Sequence, residues 1–268
     1  MFGRHRFAFG LRTLVLLLSG IGISLGLACH RTRCQHRAVS HLQARSNYVY
    51  FDYQLRYGDD YRSFRPKPNQ ELAAPDWLVR LIGPSYFRSV IAVDVISQLS
   101  HEDCSHLSTL SSLRMINILN QKDLDDSTFA TLSRMKNLDF LGFNGCSIDG
   151  RDFSQLAPPR ITCLEIIDTP ICDDALKHLA RLDSLRCVTL RGTEVSDQGV
   201  AHLKDAQNIE FINLCDTNVT DAGLMHLTNL NRLSDIYAMN TKITEEGVRR
   251  FEEANPKCKV RRLRELRR

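Results

Sequence analysis

The feature that most constrains this chain is a 24-residue unit that occurs four times between Ile161 and Phe251. The copies start at Ile161, Leu185, Ile209 and Leu233, and in each of them apolar residues return at positions 1, 4, 6, 11, 16 and 19. Self-similarity at a fixed period of this length is typical of architectures in which small units stack on one another. The fold therefore has to repeat with the same period.

Each unit predicts a strand, a turn and a short helix. The first third, as in Ile209–Leu214, alternates apolar and other residues, which suits a short buried strand. The second half, as in Thr220–Leu230, repeats leucine every three residues behind a candidate N-cap threonine and an acidic first turn. One such unit cannot bury its apolar stripe alone. We therefore expect an α/β solenoid with a parallel sheet on one side and helices on the other.

The shared pattern LxxLxLxxTxVTDxGLxxLxxL resembles the leucine-rich repeat, in its variant with a short helix on the convex side. The resemblance implies a horseshoe with parallel strands on its concave face. Weaker copies start at residues 90, 113 and 138, so the predicted array covers residues 90–256. The whole layout is similar to short membrane-anchored bacterial leucine-rich repeat proteins with TDAGL-type repeats. Most members of that group lack an assigned activity, so the resemblance implies architecture more than function.

The N-terminus predicts a single-pass membrane anchor. Residues 13–29 carry no charge and follow a basic segment, residues 1–12. A transmembrane helix over 13–29, continued by a basic juxtamembrane helix over 30–45, is the interpretation we favour. The alternatives are a cleaved signal peptide and a weak lipoprotein motif at residues 26–29. Arginines flank both ends of the segment, so the side of the membrane that holds the repeats stays undetermined.

Two further segments flank the repeats. Residues 46–89 contain ten of the twenty aromatic residues, and we interpret them as an N-terminal cap over the first repeat, with a strand at Tyr48–Tyr53 and a helix at Asp76–Ile82. The alternative is an independent ligand site. Residues 257–268 predict a closing strand residue, Val260, followed by a loosely held basic tail.

Charge and cysteine content restrict the function. Residues 1–45 hold seven arginines and no acid, and residues 257–268 hold seven Lys or Arg against one Glu, so the repeat-bearing middle is acidic. Nucleic-acid binding needs a basic face and is therefore not expected. The nine cysteines are scattered and form no CxxC motif. We expect unpaired thiols, no metal, no cofactor and no small-molecule substrate.

Three columns of the repeat resemble chemical sites but have structural explanations. Equivalent residues on neighbouring helices stand about 8–10 Å apart, too far for shared zinc ligation, so the histidine column predicts a solvated helix face. The aspartate column fits helix N-termini, and the threonine column fits turn hydrogen bonds. The columns are His178, His202 and His226; Asp173, Asp197 and Asp221; and Thr169, Thr193, Thr217 and Thr241.

The remaining candidate is the concave face, to which strand positions 3, 5 and 7 point because positions 4 and 6 point into the core. An apolar stripe beside a polar one is typical of a partner surface, although single exposed apolar residues are common on any protein. The predicted partner-binding residues are Phe140, Glu165, Thr189, Arg191, Phe211, Asn213, Tyr237 and Met239.

These observations predict a membrane-anchored, non-enzymatic scaffold that binds a protein partner on its concave face. Two alternatives remain. One is a structural envelope protein without a specific partner, and the other is an enzyme with its site in residues 46–89.

Overall fold

The computed structural model describes residues 30–52, 55–57, 64–66, 77, 80, 89–124, 126–156 and 160–262. In this part of the chain nine strands form one sheet in the order β1-β4-β5-β6-β7-β8-β9-β10-β11, and β2 and β3 form a separate hairpin. The strands are β1 Tyr48–Phe51, β2 Leu55–Tyr57, β3 Phe64–Pro66, β4 Val90–Val95, β5 Met115–Leu119, β6 Phe140–Asn144, β7 Cys163–Ile167, β8 Cys187–Thr189, β9 Phe211–Asn213, β10 Asp235–Tyr237 and β11 Lys259–Arg261.

Short helices connect the strands. The described part of α1 covers residues 30–44, and 3₁₀ segments cover Arg151–Gln155, Asp173–Ala175 and Leu203–Asp205. The other helices are α2 His101–Thr109, α3 Asp126–Ser133, α4 Leu176–Leu179, α5 Asp197–His202, α6 Asp221–Met225 and α7 Glu245–Ala254. The predicted α/β alternation is therefore confirmed, and each helix that connects two strands of the array is shorter than three turns.

Strands β4 to β11 pair in parallel with their neighbours in the chain, and equivalent repeat positions face one another. Ile212 at position 4 lies opposite Val188 on one side and Ile236 on the other. At the N-terminal edge, β1 runs antiparallel to β4, with Tyr48 opposite Asp94. A parallel pairing that keeps register over 24-residue steps requires the same chain length per unit, which the sequence period supplies.

The core lies between the sheet and the helices. Strand positions 4 and 6 are fully buried, as are the leucines of the helices, so the assignment of inward-facing positions is confirmed. In the less regular repeats, three aromatic rings fill the same layer with centroids 5.6 to 5.9 Å apart. They belong to Phe129, Phe143 and Phe153.

Thr, Asp and Gly recur at the same positions of the repeats because their side chains and backbone connect one repeat to the next. Asp197 accepts hydrogen bonds from the backbone N–H and hydroxyl of Thr220 in the following repeat, at 2.7 and 2.6 Å. The hydroxyl of Thr220 in turn accepts from Ala222 N at 3.2 Å and caps α6. The same arrangement joins Asp173 to Ser196 and Asp221 to Thr244. We call this series the aspartate ladder.

The repeated glycine makes room for the ladder. A Cβ atom added to Gly223 would lie 2.3 Å from Asp197 Oδ1 and 2.8 Å from Val219 Cγ1. Real Cβ atoms do not approach other atoms so closely, and filled cores accommodate extra atoms poorly. The aspartate of one repeat and the glycine of the next therefore form a single structural unit.

Two columns shape the turn that follows each strand. Position 8 has positive φ in six consecutive repeats and is occupied only by residue types that tolerate it: Asn120, Gly145, Asp168, Gly192, Asp216 and Asn240. At position 9, the hydroxyls of Thr193, Thr217 and Thr241 donate to the carbonyl oxygen three residues back, at 2.6 to 2.9 Å. The predicted turn role of the threonines is confirmed.

The N-terminal helix is packed onto the solenoid. Ala38 and Leu42 of α1 are fully buried in the same core as the repeats. Asn47 follows the helix, and its Oδ1 accepts from the backbone N–H groups of Ile96 and Ser97 at 2.9 and 3.0 Å. Helix α1 and strand β1 together cover the end of the array at which β4 lies.

Several sequence predictions concern residues that the structure does not describe. The predicted membrane segment, residues 13–29, lies outside the described ranges, and so do most of the helix predicted at Asp76–Ile82 and the tail beyond residue 262. Among the described residues, no helix combines the length and apolarity needed to cross a bilayer. No disulfide joins two of the eight described cysteines, and Cys163 and Cys187 lie opposite each other on β7 and β8.

Candidate binding face

The candidate site lies on the outer sheet face, by which we mean the side of the sheet opposite the main core. It carries positions 3, 5 and 7 of each repeat. Position 3 forms a second apolar cluster, separate from the main core, made of Phe140, Cys163, Cys187 and Phe211. Met115 and Tyr237 pack against its two ends. The alternation predicted from the sequence therefore places these side chains on the correct face.

The expectation that this stripe is exposed is wrong. Phe140 is 5% exposed and Phe211 is 7% exposed. Equivalent residues on adjacent strands stand about 4.8 Å apart on the same face, so the side chains of a continuous apolar column cover one another. Strand alternation predicts the direction of a side chain but not whether neighbours cover it. The two phenylalanines thus form the base of the outer face.

A row of hydrogen-bonded polar side chains crosses the N-terminal half of the outer face. Tyr50 donates its hydroxyl proton to Asp94 at 3.0 Å, and Asn117 also donates to Asp94. Asn144 donates through Nδ2 to Asn117 Oδ1 at 2.7 Å and to Glu165 Oε1 at 3.3 Å. This polar row links five strands and contains two carboxyl groups, those of Asp94 and Glu165.

Both carboxyl groups of the polar row have perturbed acidity. Burial raises the pKa of Asp94 and of Glu165 above their ordinary values, and the amide hydrogen bonds offset this only in part. Burial, together with the charge of Asp94, raises the pKa of Tyr50 to about 12. Within the described part of the chain, Asp94 Oδ1 and Asn144 Oδ1 are buried acceptors without a hydrogen-bond donor. Groups of this kind are enriched at functional sites.

The C-terminal half of the outer face contains an open groove. Arg191 donates from Nε to Asp216 Oδ2 at 2.9 Å, and Asn240 donates to the other carboxylate oxygen at 2.8 Å. These two hydrogen bonds hold the pKa of Asp216 below its ordinary value. The groove is lined by Arg191, Asn213, Cys215, Asp216, Met239, Asn240 and Arg262. It brings together three of the predicted residues, Arg191, Asn213 and Met239.

Next to the groove, an aromatic pair continues the face toward the last strand. The ring of Tyr237 contacts the edge of Phe211 with centroids 5.1 Å apart. The guanidinium group of Arg261 lies over the Tyr237 ring at 5.9 Å and forms an ion pair with Asp235. Tyr237 is thereby held in place by an apolar contact on one side and a cation on the other.

Of the eight predicted residues, six are at least partly accessible: Glu165, Thr189, Arg191, Asn213, Tyr237 and Met239. Of the polar row, sequence reasoning found only Glu165, because Tyr50 comes from outside the repeats and its contact with Asp94 depends on how β1 pairs with β4. It also missed Asp216 and Asn240. The signal for these two was available, since Asn, Asp or Gly at every position 8 indicates positive φ.

The histidine column does not form a site. His226 is exposed, and His178 and His202 are half-buried on the helical side. None of them belongs to the group of metal-ligating side chains that the described residues contain. The three histidines therefore do not converge on a common metal position.

The structural neighbours of this chain among solved structures are leucine-rich repeat proteins. An internalin C2 from Listeria monocytogenes matches 64% of this chain and 70% of its own at a TM-score of 0.48. A second internalin from that organism matches 62% of this chain and 58% of its own at a TM-score of 0.37. A leucine-rich repeat protein from Leptospira interrogans matches 58% of this chain and 38% of its own at a TM-score of 0.44. Each is 16% identical, and these leucine-rich repeat likenesses concern the fold alone.

No family model matches the sequence, and no curated protein is significantly similar to it. The internalin and leptospiral matches leave a third or more of this chain unaligned. These matches therefore carry no information on function, and the outer sheet face is the feature that bears on it.

Proposed function

We propose that this chain is a scaffold that binds a protein partner on the C-terminal half of its outer sheet face. The observation that carries the proposal is that six predicted residues stay accessible in one strip along β7 to β10 and the turns that follow. Within the strip, Tyr237 packs against the buried apolar cluster, which holds this side chain in place before a partner arrives. Preorganisation of this kind reduces the ordering cost of association.

The shape of the strip favours a macromolecule over a small ligand. Four strands at about 4.8 Å spacing give a surface on the order of 15–20 Å wide. Small-molecule sites are enclosed and mostly apolar, whereas this groove is half open, and polar or charged side chains line it beside Cys215 and Met239. Tyrosine, arginine and methionine are common anchors of protein interfaces, and Tyr237, Arg191 and Met239 supply them. The proposal therefore includes binding and no catalysed reaction.

The test of binding is proximity labelling in native cells with the tag fused at Arg268. Arg191→Glu reverses a charge at the centre of the strip, and Arg181→Glu makes the same change at an exposed arginine just after helix α4. We expect a set of labelled proteins that Arg191→Glu removes and Arg181→Glu retains. If both variants label the same proteins as the unaltered chain, the outer face does not select the partner.

The labelling experiment also distinguishes the alternative of a structural envelope protein. Such a protein would label mainly further copies of itself, with no specific partner in either variant. An enzyme with its site in residues 46–89 would keep its labelled partners in both variants and lose activity on changes in that segment.

We further propose that residues 13–29 attach the scaffold to a membrane. The support is their lack of charge and helix α1, whose described part covers residues 30–44 and is packed into the core through Ala38 and Leu42. An anchor at 13–29 would then be joined to the repeats by a helix packed on the core. We expect the protein to stay in the membrane fraction after high-salt and carbonate washing. A mature N-terminus near residue 29 or 30 would contradict this.

A further inference from the structure

Two histidines and a glutamate converge where α1 packs against the first repeat helix. Glu102 and His106 lie four residues apart on α2 and therefore on the same side of that helix. His41 reaches them from α1, and its ring lies 4.3 Å from the ring of His106 between centroids. One ligand-capable atom of each side chain lies within 4.8 Å of the other two. Within the described residues, no other group of His, Cys, Asp or Glu side chains has this geometry.

We propose that His41, Glu102 and His106 bind a zinc ion. His41 Nδ1 and His106 Nε2 lie 3.8 and 3.9 Å from the same oxygen, Glu102 Oε1. Both distances are too long for a hydrogen bond. Tetrahedral zinc with bonds of about 2.0–2.1 Å places its ligand atoms about 3.3 Å apart. A small cation therefore fits between the three atoms once the distances between them shorten by about half an ångström. The exposed Glu102 side chain is free to move by this amount.

A fully buried carboxylate orients His41 for this role. His41 Nε2 lies 3.1 Å from Asp103 Oδ1, and because a carboxylate accepts, the proton of the ring sits on Nε2. The lone pair of Nδ1 then points toward Glu102. Zinc-bound histidines commonly donate their other N–H to a carboxylate in this way. Asp103 is itself fixed by the backbone N–H and hydroxyl of Ser100, at 2.8 and 2.6 Å.

The local charge also favours a dication. Glu102 and Asp103 bring two carboxylates to the cluster, and Arg45 lies 3.3 Å from Asp103 and balances one of them. Imidazole nitrogens with one carboxylate are a ligand set that suits zinc, and three protein ligands leave a fourth position for water. The metal would join α1 to α2 and so connect the segment after the predicted anchor to the first repeat. This role is independent of the partner surface, which lies on the other side of the sheet.

The test is a calorimetric titration of the full chain with zinc chloride, in a non-ionic detergent after treatment with EDTA. We expect one zinc ion per chain. His106→Ala removes a ligand and should abolish this binding, whereas Glu102→Gln changes an exposed side chain that the fold does not need and should weaken it at least about 10-fold. Circular dichroism of the metal-free variants shows whether they are folded.

Glu246→Gln is the matched control, because Glu246 is also the second residue of its helix and is exposed. It should bind zinc like the unaltered chain. X-ray absorption of the loaded protein should show nitrogen and oxygen ligands without sulfur. Equal affinity in the folded Glu102→Gln variant, or sulfur in the coordination shell from one of the cysteines, would overturn the proposal.

Discussion

The regular repeats at residues 161–256 and the less regular ones at 90–160 use different means to reach the same stacking. In the regular half, the aspartate ladder joins each repeat to the helix cap of the next. In the N-terminal half, buried side-chain amides replace it: Gln121 accepts from Leu99 N at 2.8 Å and donates to Ser97 O at 3.1 Å. Asp103 caps its own helix instead of the following one.

This difference separates structural residues from candidate functional ones. Side chains that recur with the 24-residue period are explained by the ladder, the positive-φ turn and the threonine turn. Side chains that break the period include the polar row with its buried carboxyls and the proposed zinc ligands. Residues that recur in every repeat are needed for stacking, so residues that do not recur are the better candidates for a specific function.

The largest loss of stability is expected from a substitution in the core of the regular half. Leu214→Ala removes a fully buried side chain between the sheet and the helices, and the resulting cavity should cost about 2–5 kcal/mol. Thr189→Ala on the outer face should cost little. Chemical denaturation of the two variants measures this. Equal losses of stability would show that the inward and outward positions are assigned wrongly.

The next largest effect concerns the ladder. Asp197→Ala removes two hydrogen bonds between a carboxylate and Thr220, and bonds to charged groups contribute about 1.5–3 kcal/mol. The comparison in the less regular half is Asp149→Ala. It removes an exposed ion pair with Arg151 and an exposed hydrogen bond from the backbone N–H of Arg151 at 3.0 Å, so it should cost less than Asp197→Ala. Thermal unfolding of both variants tests whether the ladder stabilises the regular half. Similar midpoints would mean that it does not.

The sequence was sufficient for the fold because its period fixes strand register and helix spacing together. It was not sufficient for contacts between units. Asp197 was assigned to the dipole of its own helix, while its carboxylate bonds to Thr220 of the next repeat. The need for glycine at Gly223 likewise depends on the stacked position of Asp197, which the sequence does not reveal.

The candidate site was predictable in outline only. The outward direction of Phe140 followed from alternation, but its burial depends on neighbours along the sheet, which a single strand does not reveal. The convergence of His41 with Glu102 and His106 depends on how α1 packs, and no spacing in the chain encodes that contact. Residues outside the period are those for which sequence reasoning has least information.

Glu165 allows a pH test of the polar row. Burial raises its pKa in the folded state above the ordinary value of 4.5. The folded protein then holds this proton more tightly than the unfolded chain, so stability falls as pH rises from about 4.5 through the folded pKa. Glu165→Gln keeps the acceptor for Asn144 and removes the buried charge. We expect the variant to unfold at a higher temperature than the unaltered protein at pH 7, and the gain to shrink near pH 4.

Glu246→Gln in the regular half should change the unfolding temperature in the opposite direction. The hydrogen bond from Arg249 lowers the pKa of Glu246, so this carboxylate contributes stability above its ordinary pKa and loses it as pH falls through the lowered value. The variant should unfold at a slightly lower temperature at pH 7. If Glu165→Gln behaves like Glu246→Gln, the polar row is not an energetic cost at neutral pH.

The smallest effect on stability is expected at the centre of the proposed partner surface. Arg191→Ala removes an ion pair with Asp216 whose arginine side chain is 53% exposed, and such pairs contribute about 0.2–1 kcal/mol. Salt should reduce even this difference, because the Debye length falls to about 3 Å at 1 M ionic strength. Denaturation at low and high salt measures it. A large, salt-independent loss would assign Arg191 to the architecture of the turn. A small loss in Arg191→Ala, together with the loss of labelled partners in Arg191→Glu, would separate binding from folding at this residue, because the exposed ion pair contributes little to the folded state.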